Sequence, residues 1–201
     1  MLGFQEYFTR ASDFVSKAPS EVIVSPCWGR VEALSEISED GMIPGKSVFG
    51  RRHFISLSNM IKTDSLRSPF LSGMYIKIYL AQWDPHGVSA PASGTVLSIV
   101  HERGRSLPLL LMKGADLTNE KSHILFRSVH GFPILVSMIG SFLVRSNHVV
   151  CNEGETCERG QAVGSFRLGS TVVLLFPKNS VQALCKVQEK VKLGDPIAIC
   201  K

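Results

Sequence analysis

Apolar residues recur at three- and four-residue steps through the first eighteen positions, a spacing that places them on one face of an α-helix. Pro19 ends the pattern, because proline has no amide hydrogen to continue a helix. The sequence therefore predicts an N-terminal amphipathic helix over residues 1–18. Its apolar face either packs against the rest of the protein or lies in a membrane interface, with Arg10 and Lys17 at the lipid headgroups. The face consists of Phe4, Tyr7, Phe8, Ala11, Phe14, Val15 and Ala18.

Beyond Pro19 the apolar runs shorten to strand length and are bounded by the turn-forming residues Gly, Pro, Asn and Asp. One short helix is predicted among them, at about residues 55–61. The whole pattern predicts a mainly β fold with short helices (α+β), in a single domain over residues 1–201. The predicted strands cover residues 21–25, 29–36, 75–82, 94–102, 107–112, 124–129, 132–144, 171–176 and 196–200.

Two weak internal repeats predict tight turns at the ends of strands. Residues 25–31 and 90–96 share the pattern Pro-x-x-Gly-x-Val. Residues 155–163 and 189–197 share a Glu, a Gly five positions later and an apolar residue three positions after that. The second repeat resembles the hammerhead-like turn of biotinyl and lipoyl carrier domains. Those domains need a lysine centred in a hairpin, for which Met112-Lys113-Gly114 is a poor substitute. The resemblance therefore indicates carrier-like turns without a carrier function.

Charge and composition narrow the classes of function. The chain has 44% apolar residues and a net charge of +5, which suits a folded domain that meets an acidic ligand or an anionic membrane surface. No Lys/Arg block predicts nucleic-acid binding. The N-terminus lacks the pattern of a signal peptide, and the longest apolar run, residues 131–144, is too short to span a bilayer. We expect a cytoplasmic protein that is soluble or peripheral to the membrane.

The cysteines and the glycine-rich segment give no specific site. Five cysteines without a Cys-x-x-Cys pair predict free thiols and no metal centre. Residues 41–47, Gly-Met-Ile-Pro-Gly-Lys-Ser, have one residue too few between the glycines for a phosphate-binding loop, so a plain turn is expected. Most of the six histidines are expected to be structural. His86 stands apart, because Trp83-Asp84-Pro85-His86 follows a predicted strand, where site residues are commonly presented.

Residues 164–177 combine a polar turn with an apolar strand and place Ser170 directly after Gly169. The serine Oγ is able to attack the preceding carbonyl, which converts the amide into an ester. Elimination then leaves dehydroalanine, which hydrolyses to a pyruvoyl group. Taken alone, however, a Gly-Ser pair in a turn is an ordinary turn.

Six segments in order resemble the phosphatidylserine decarboxylase family. Leu168-Gly169-Ser170-Thr171 before an apolar strand is similar to that family's self-cleavage site. The other segments are Phe4 to Arg10, Ser25-Pro26-x-x-Gly29-x-Val31, Gly45-Lys46-Ser47, Tyr79-Leu80-Ala81-x-x-Asp84-x-His86 and Gly140-Ser141.

The resemblance implies a pyruvoyl-dependent decarboxylase that cleaves itself between Gly169 and Ser170. The pyruvoyl group derived from Ser170 would bind the substrate amine and accept the electron pair left as CO2 departs. His86 matches the family histidine that handles the substrate and donates a proton, and Asp84 would orient or polarise it. No metal is implied. The leading interpretation is conversion of phosphatidylserine to phosphatidylethanolamine at a membrane surface.

Two positions depart from the family pattern. Trp28 stands where the family has the Asp of Ser-Pro-x-Asp-Gly, and Ser89 stands where many bacterial relatives have a second histidine. Neither side chain supplies the base that activates Ser170. A non-catalytic lipid- or partner-binding relative, and a pyruvoyl decarboxylase of a soluble amino acid, are therefore kept as alternatives. The sequence also leaves a homodimer open.

Overall fold

The computed structural model describes residues 18–48, 51–104, 118–140, 147–166 and 170–201. The predicted N-terminal helix, apart from Ala18, and the predicted strand 107–112 lie outside these ranges, as does Gly169. The described residues are mainly strand, as predicted, with two short helices, α1 (Leu57–Met60) and α2 (Asp64–Arg67), and a 3-10 turn at Ser68–Phe70. The strands are β1 Val22–Val24, β2 Gly29–Glu36, β3 Met42–Val48, β4 Arg51–Ser56, β5 Met74–Leu80, β6 Gly87–Ser89, β7 Gly94–Glu102, β8 Lys121–Ser128, β9 Pro133–Gly140, β10 His148–Val149, β11 Thr156–Cys157, β12 Ala162–Ser165, β13 Ser170–Phe176, β14 Val181–Ala183, β15 Lys190–Val191 and β16 Pro196–Cys200.

The long apolar runs form strands close to their predicted bounds, and β2, β7 and β16 match them at both ends. The predicted helix at 55–61 is confirmed as the shorter α1, because Ile55 and Ser56 belong to β4. The plain turn expected at residues 41–47 is wrong. Most of that segment is β3, which pairs with β4, and a register shift between Pro44 and Ser47 accommodates the proline within a bulge.

An eight-stranded sheet in the order β11-β7-β8-β9-β13-β5-β2-β15 dominates the described part of the chain. One face packs against the small sheets β1-β16-β14 and β10-β12-β6, through residues such as Ile23, Val88 and Ile197. The other face is covered by the β3–β4 hairpin and the short helices, through Leu57 and Phe70. The sheet therefore has an apolar layer on each side, which explains why its central strand β13 is buried along its whole length.

Each of the two sequence repeats has one copy in each half of a pseudo-twofold arrangement. β15 pairs with the start of β2, and β11 pairs in the same way with the start of β7. β16 pairs with β1, as β12 pairs with β6. The contacts between the halves are reciprocal: the amide of Val24 donates to the carbonyl of Pro91 at 2.9 Å, and that of Ser89 donates to Pro26 at 2.8 Å. Residues 25–31 and 90–96 lead into β2 and β7, and residues 155–163 and 189–197 turn from β11 to β12 and from β15 to β16.

The glycine shared by the first repeat is required by close packing. A Cβ on Gly29 would lie 2.5 Å from the carbonyl oxygen of Tyr79, and one on Gly94 would lie 2.4 Å from that of Arg127. Both distances are shorter than any carbon–oxygen contact that a folded protein tolerates. Each half therefore needs glycine where its long strand enters the sheet.

The halves differ in how their central strands are joined. In one half, β8 and β9 form a hairpin whose turn contains Gly131 at φ +87°. In the other half, the equivalent neighbours β5 and β13 are not joined by a turn. The strands β6 to β12, which include β8 and β9, lie between them in sequence. As a result, Leu80 at the end of β5 faces Ser170 at the start of β13. We call this end of the strands, where β5 ends and β13 begins, the Ser170 end.

Within the described residues, no helix is long and apolar enough to cross a membrane.

Candidate active site

Ser170 is the first residue of β13 and lies between two strands. It faces Leu80 of β5 on one side and Gly140 of β9 on the other. The residue is fully buried, and among the described residues no group hydrogen bonds to its Oγ. A buried hydroxyl without a partner costs free energy, so its position at a strand end calls for an explanation, and a reactive role is one such explanation.

Strand alternation shows which face the Ser170 side chain occupies. Val172 and Leu174, two and four residues later, belong to the core cluster that contains Val88 and Phe166. Because side chains two apart in a strand lie on the same face, Ser170 shares that face. The serine is therefore on the side of the sheet covered by β6 and β12.

The loop after β5 carries the predicted site residues. The Asp84 carboxylate accepts a 2.8 Å hydrogen bond from the amide of Ala81, and the amide of Asp84 donates to the Ala81 carbonyl at 3.0 Å. These two bonds close a turn directly after Leu80, the residue that faces Ser170. The structure thus places Asp84 beside the Ser170 end.

His86 follows this turn and is buried. Its backbone carbonyl accepts a 2.9 Å hydrogen bond from the amide of Phe166, four residues before Ser170. Burial lowers the pKa of His86 below its ordinary value, although a hydrogen bond with the backbone of Asp84 and the Asp84 charge act in the opposite direction. The imidazole is therefore neutral at pH 7 and able to accept a proton.

Comparisons with known proteins show which family the chain belongs to. The family model described as phosphatidylserine decarboxylase matches residues 4–199. The chain belongs to the phosphatidylserine decarboxylase family. This is a family of carboxy-lyases, so the resemblance and the enzyme class expected from the sequence are both confirmed.

Three relatives illustrate the match. The chain is 29% identical to the phosphatidylserine decarboxylase proenzyme of Marinobacter nauticus, over 96% of this chain and 75% of that protein. It is 29% identical to the proenzyme of the same name from Saccharophagus degradans, over 97% of this chain and 76% of that protein. A putative archaetidylserine decarboxylase proenzyme of Archaeoglobus fulgidus is 35% identical over 66% of each chain.

The two departures from the phosphatidylserine decarboxylase pattern have different surroundings. Trp28 is half-buried, and the ammonium of Lys192 lies 5.5 Å from the centre of its ring. Ser89 is fully buried, its amide is bonded to Pro26, and among the described residues no group hydrogen bonds to its Oγ. An indole offers no proton acceptor, and a neutral hydroxyl is a weak base. The structure therefore contains no base at either position.

The thiol of Cys27 also lies near this loop. Burial, with a smaller contribution from the charge of Asp84, raises the pKa of its thiol far above the ordinary value. The thiol is protonated at neutral pH and acts as neither nucleophile nor base. All five cysteines are free, as the sequence predicted.

A second polar cluster on the opposite face of the sheet was missed by the sequence analysis. The Nδ1 atom of buried His123 lies 2.7 Å from the Ser137 hydroxyl, and its Nε2 lies 3.5 Å from Glu102. Lys121 lies 4.0 Å from the same carboxylate. These residues come from three neighbouring strands, β7, β8 and β9, so only the register of the sheet brings them together. His123 thus has partners, as do His101 with Ser122 and His130 with Ser20, which fits the structural role expected of them.

Proposed function

We propose that the chain is a phosphatidylserine decarboxylase proenzyme that cleaves itself between Gly169 and Ser170. The observation that carries this proposal is the Ser170 hydroxyl, which is buried at a strand end without a hydrogen-bond partner among the described residues. Family membership supports the same conclusion, since the curated relatives are named proenzymes.

The cleavage is chemistry of the chain itself. As Oγ of Ser170 loses its proton, it attacks the carbonyl carbon of Gly169, and the peptide bond becomes an ester with a free amine on Ser170. Removal of the Cα proton expels the Gly169 carboxylate and leaves dehydroalanine. Addition of water and loss of ammonia then leave a pyruvoyl group at the start of the smaller chain. Ser170 fits the position of that group, because it begins β13 opposite Leu80 and no group among the described residues hydrogen bonds to its hydroxyl.

We propose that His86 takes the proton from Ser170, since Trp28 and Ser89 supply no base. Three features support this role. The imidazole is neutral because burial lowers its pKa. Its backbone is tied to Phe166, close in sequence to the attacking hydroxyl. A nucleophilic serine generally needs such a base, and the charge of nearby Asp84 acts on the imidazole.

In the mature enzyme, a pyruvoyl group formed from Ser170 would supply the electron-accepting carbonyl for loss of CO2. The proposed substrate is phosphatidylserine and the product phosphatidylethanolamine, with the protein held peripherally at a membrane surface. His86 would then donate a proton to the carbon that CO2 leaves, and Asp84 would hold the imidazole in place. The burial of Ser170 supports this assignment, because exclusion of water protects a reactive carbonyl.

The test combines mass and activity. Denaturing mass spectrometry of the purified protein should show two chains separated at the Gly169–Ser170 bond, the smaller with a pyruvoyl end, and the preparation should release CO2 from phosphatidylserine. Ser170→Ala should remain intact and inactive, and Ser180→Ala, in the turn after β13, is a matched control that should be processed normally. Processing followed by decarboxylation of free serine but not of the lipid would support the alternative of a soluble amino-acid substrate.

One observation favours a second candidate, a non-catalytic relative that keeps the fold as a lipid- or partner-binding module. At the two positions where the family has its base residues, this chain has Trp28 and Ser89, and neither side chain is a base of useful strength. An intact chain after prolonged incubation, with Ser170 unmodified, would establish this candidate in place of the enzyme.

A further inference from the structure

Both tryptophans of the chain lie at the Ser170 end. Trp28 immediately precedes β2, and Trp83 follows the last residue of β5 by three positions. Because β2 and β5 are antiparallel neighbours, the start of β2 and the end of β5 lie side by side at the Ser170 end. Their sequence neighbours Cys27 and Asp84 are close enough for the carboxylate charge to act on the thiol.

The indole of Trp83 faces solvent. Its side chain is 78% exposed, more than any other large apolar side chain in the described ranges. Single exposed apolar residues are common, but an exposed tryptophan beside a catalytic loop is not explained by folding. Trp28 is half-buried beneath Lys192, so its indole lies at the same margin between protein and solvent.

The strands beside Trp28 carry cations in an arrangement that is unfavourable for the isolated protein. Arg30 and Lys190 are exposed and stand directly opposite each other in the β2–β15 pairing. Like charges facing each other across two strands are destabilising. Among the described residues neither forms an ion pair, and Glu32, two residues along β2 from Arg30, pairs with Lys77 at 3.1 Å. An anionic partner would remove this repulsion.

We propose that Trp28, Arg30, Trp83, Lys190 and Lys192, the tryptophan–cation patch, dock the protein on an anionic lipid bilayer. Tryptophan favours the interface between lipid and water, and each basic side chain near an anionic leaflet strengthens binding. The patch adjoins Asp84, so docking would bring lipid headgroups to the Ser170 end. The inference rests on the proposed function for the choice of a lipid surface over another acidic partner.

The patch contains its own probe. Since the chain has only two tryptophans, all indole emission comes from the patch. The purified full chain is mixed with vesicles of equal parts phosphatidylcholine and phosphatidylglycerol, an anionic lipid that is not the proposed substrate. We expect a blue shift of the emission and quenching by brominated acyl chains. Both effects should weaken with phosphatidylcholine alone and as salt is raised, because salt screens the attraction.

Substitutions locate the contact. Trp83→Phe and Trp28→Phe leave one indole each and show which one enters the lipid, and we expect the larger blue shift from Trp83. Arg30→Gln with Lys190→Gln should weaken vesicle partitioning about 30-fold, since each cation contributes about fivefold. The matched control is Arg127→Gln with Lys178→Gln, which removes two exposed cations at the opposite end of the sheet. The Arg30→Gln, Lys190→Gln variant should unfold at or slightly above the temperature of the parent, because it removes two like charges that face each other.

The outcomes separate this inference from the proposed function. Vesicle binding with unchanged indole emission, or equal losses in the patch and control variants, would overturn the inference. Loss of binding in Phe8→Glu, with the patch variants unaffected, would instead assign the contact to the predicted N-terminal helix. A chain that decarboxylates short-chain phosphatidylserine in solution but does not bind these vesicles would contradict docking and leave the proposed function intact. A chain that docks through the patch but never cleaves would contradict the proposed function and support docking.

Discussion

The amide of Phe166 and the carbonyl of His86 are joined by a 2.9 Å hydrogen bond. This bond ties the loop that carries the histidine to the segment that leads to Ser170, even though the two are far apart in sequence. β6 and β12 continue the connection, with Gly87 paired to Ser165. The position of His86 relative to Ser170 therefore depends on the pairing of these two short strands.

Replacing His86 tests whether it supplies the base. We expect His86→Ala to slow formation of the two fragments by about 100-fold or more, because a positioned general base typically contributes about 10²- to 10⁴-fold. The fragments are followed by denaturing gel or mass spectrometry after synthesis in a cell-free system. His130→Ala, which removes an exposed histidine, should cleave at the rate of the parent. Unchanged cleavage in His86→Ala would exclude this histidine and leave Asp84 as the next residue to test.

The pH dependence of cleavage should follow His86. Because burial lowers its pKa in the folded protein, the neutral base persists below the ordinary value of 6.5. We expect a constant cleavage rate above pH 6.5 and a decline only at lower pH. A rate that already falls between pH 8 and 7 would indicate a base with a raised pKa.

Stability should depend on pH in the same direction. The folded state binds the His86 proton more weakly than the unfolded chain, so the unfolded chain takes up the proton first as pH falls below 6.5. The free energy of unfolding should therefore decrease through this range. Urea unfolding of the uncleavable Ser170→Ala chain measures it, and adding His86→Ala should remove part of the slope.

Restoring the family residues tests what limits processing. Trp28→Asp and Ser89→His should each help little alone, while the double substitution should speed cleavage beyond the product of the two, because such groups act as a unit. The quantity measured is the rate of fragment formation. Purely multiplicative effects would mean that the two positions do not cooperate.

The structure changes the expected folding cost of these substitutions. Trp28 is half-buried and interacts with Lys192, so losing it should cost about 1 kcal/mol rather than the about 3–5 kcal/mol of a core tryptophan. Ser89 is fully buried, and an imidazole there overfills the core at a cost of about 1–3 kcal/mol. Thermal unfolding of each single variant should therefore rank Ser89→His as the less stable. Cleavage rates are read only at temperatures where both are folded.

The cluster around His123 should stabilise the fold. His123→Phe leaves the Ser137 hydroxyl without its 2.7 Å partner and removes a neighbour of Glu102, so we expect a loss of about 1–3 kcal/mol. Urea unfolding in the Ser170→Ala background measures this loss, and His130→Phe serves as the exposed control. If both variants unfold at the same urea concentration, the cluster contributes nothing to stability.

Acid should reduce the difference in free energy of unfolding between the parent and His123→Phe. Although burial acts to raise the pKa of Glu102, the nearby His123 side chain, a hydrogen bond from the amide of Lys62 and nearby positive charge lower it overall. The stabilisation is therefore present above the unfolded value of about 4.5 and is lost as pH falls through the folded value. The gap between parent and His123→Phe should narrow in this range.

The sequence by itself determined the strands with strong apolar runs, the turns of the two repeats and the Gly169-Ser170 pair. These features are local, since alternation, turn-forming residues and a short motif are visible within a few positions. It did not predict β3, in which Pro44 lies within a bulge, nor two-residue strands such as β10 and β15, which owe their existence to their partners.

Only the tertiary structure decided what surrounds each site residue. Pairing across long stretches of chain brings Leu80 and Gly140 to either side of Ser170, and pairing of three strands assembles the His123 cluster. Such contacts follow from strand register, and a shift of one residue would move every side chain to the opposite face. For the same reason, the sequence named Trp28 as a departure from a family pattern, while the fold placed it beside Lys192 at the surface near the Ser170 end.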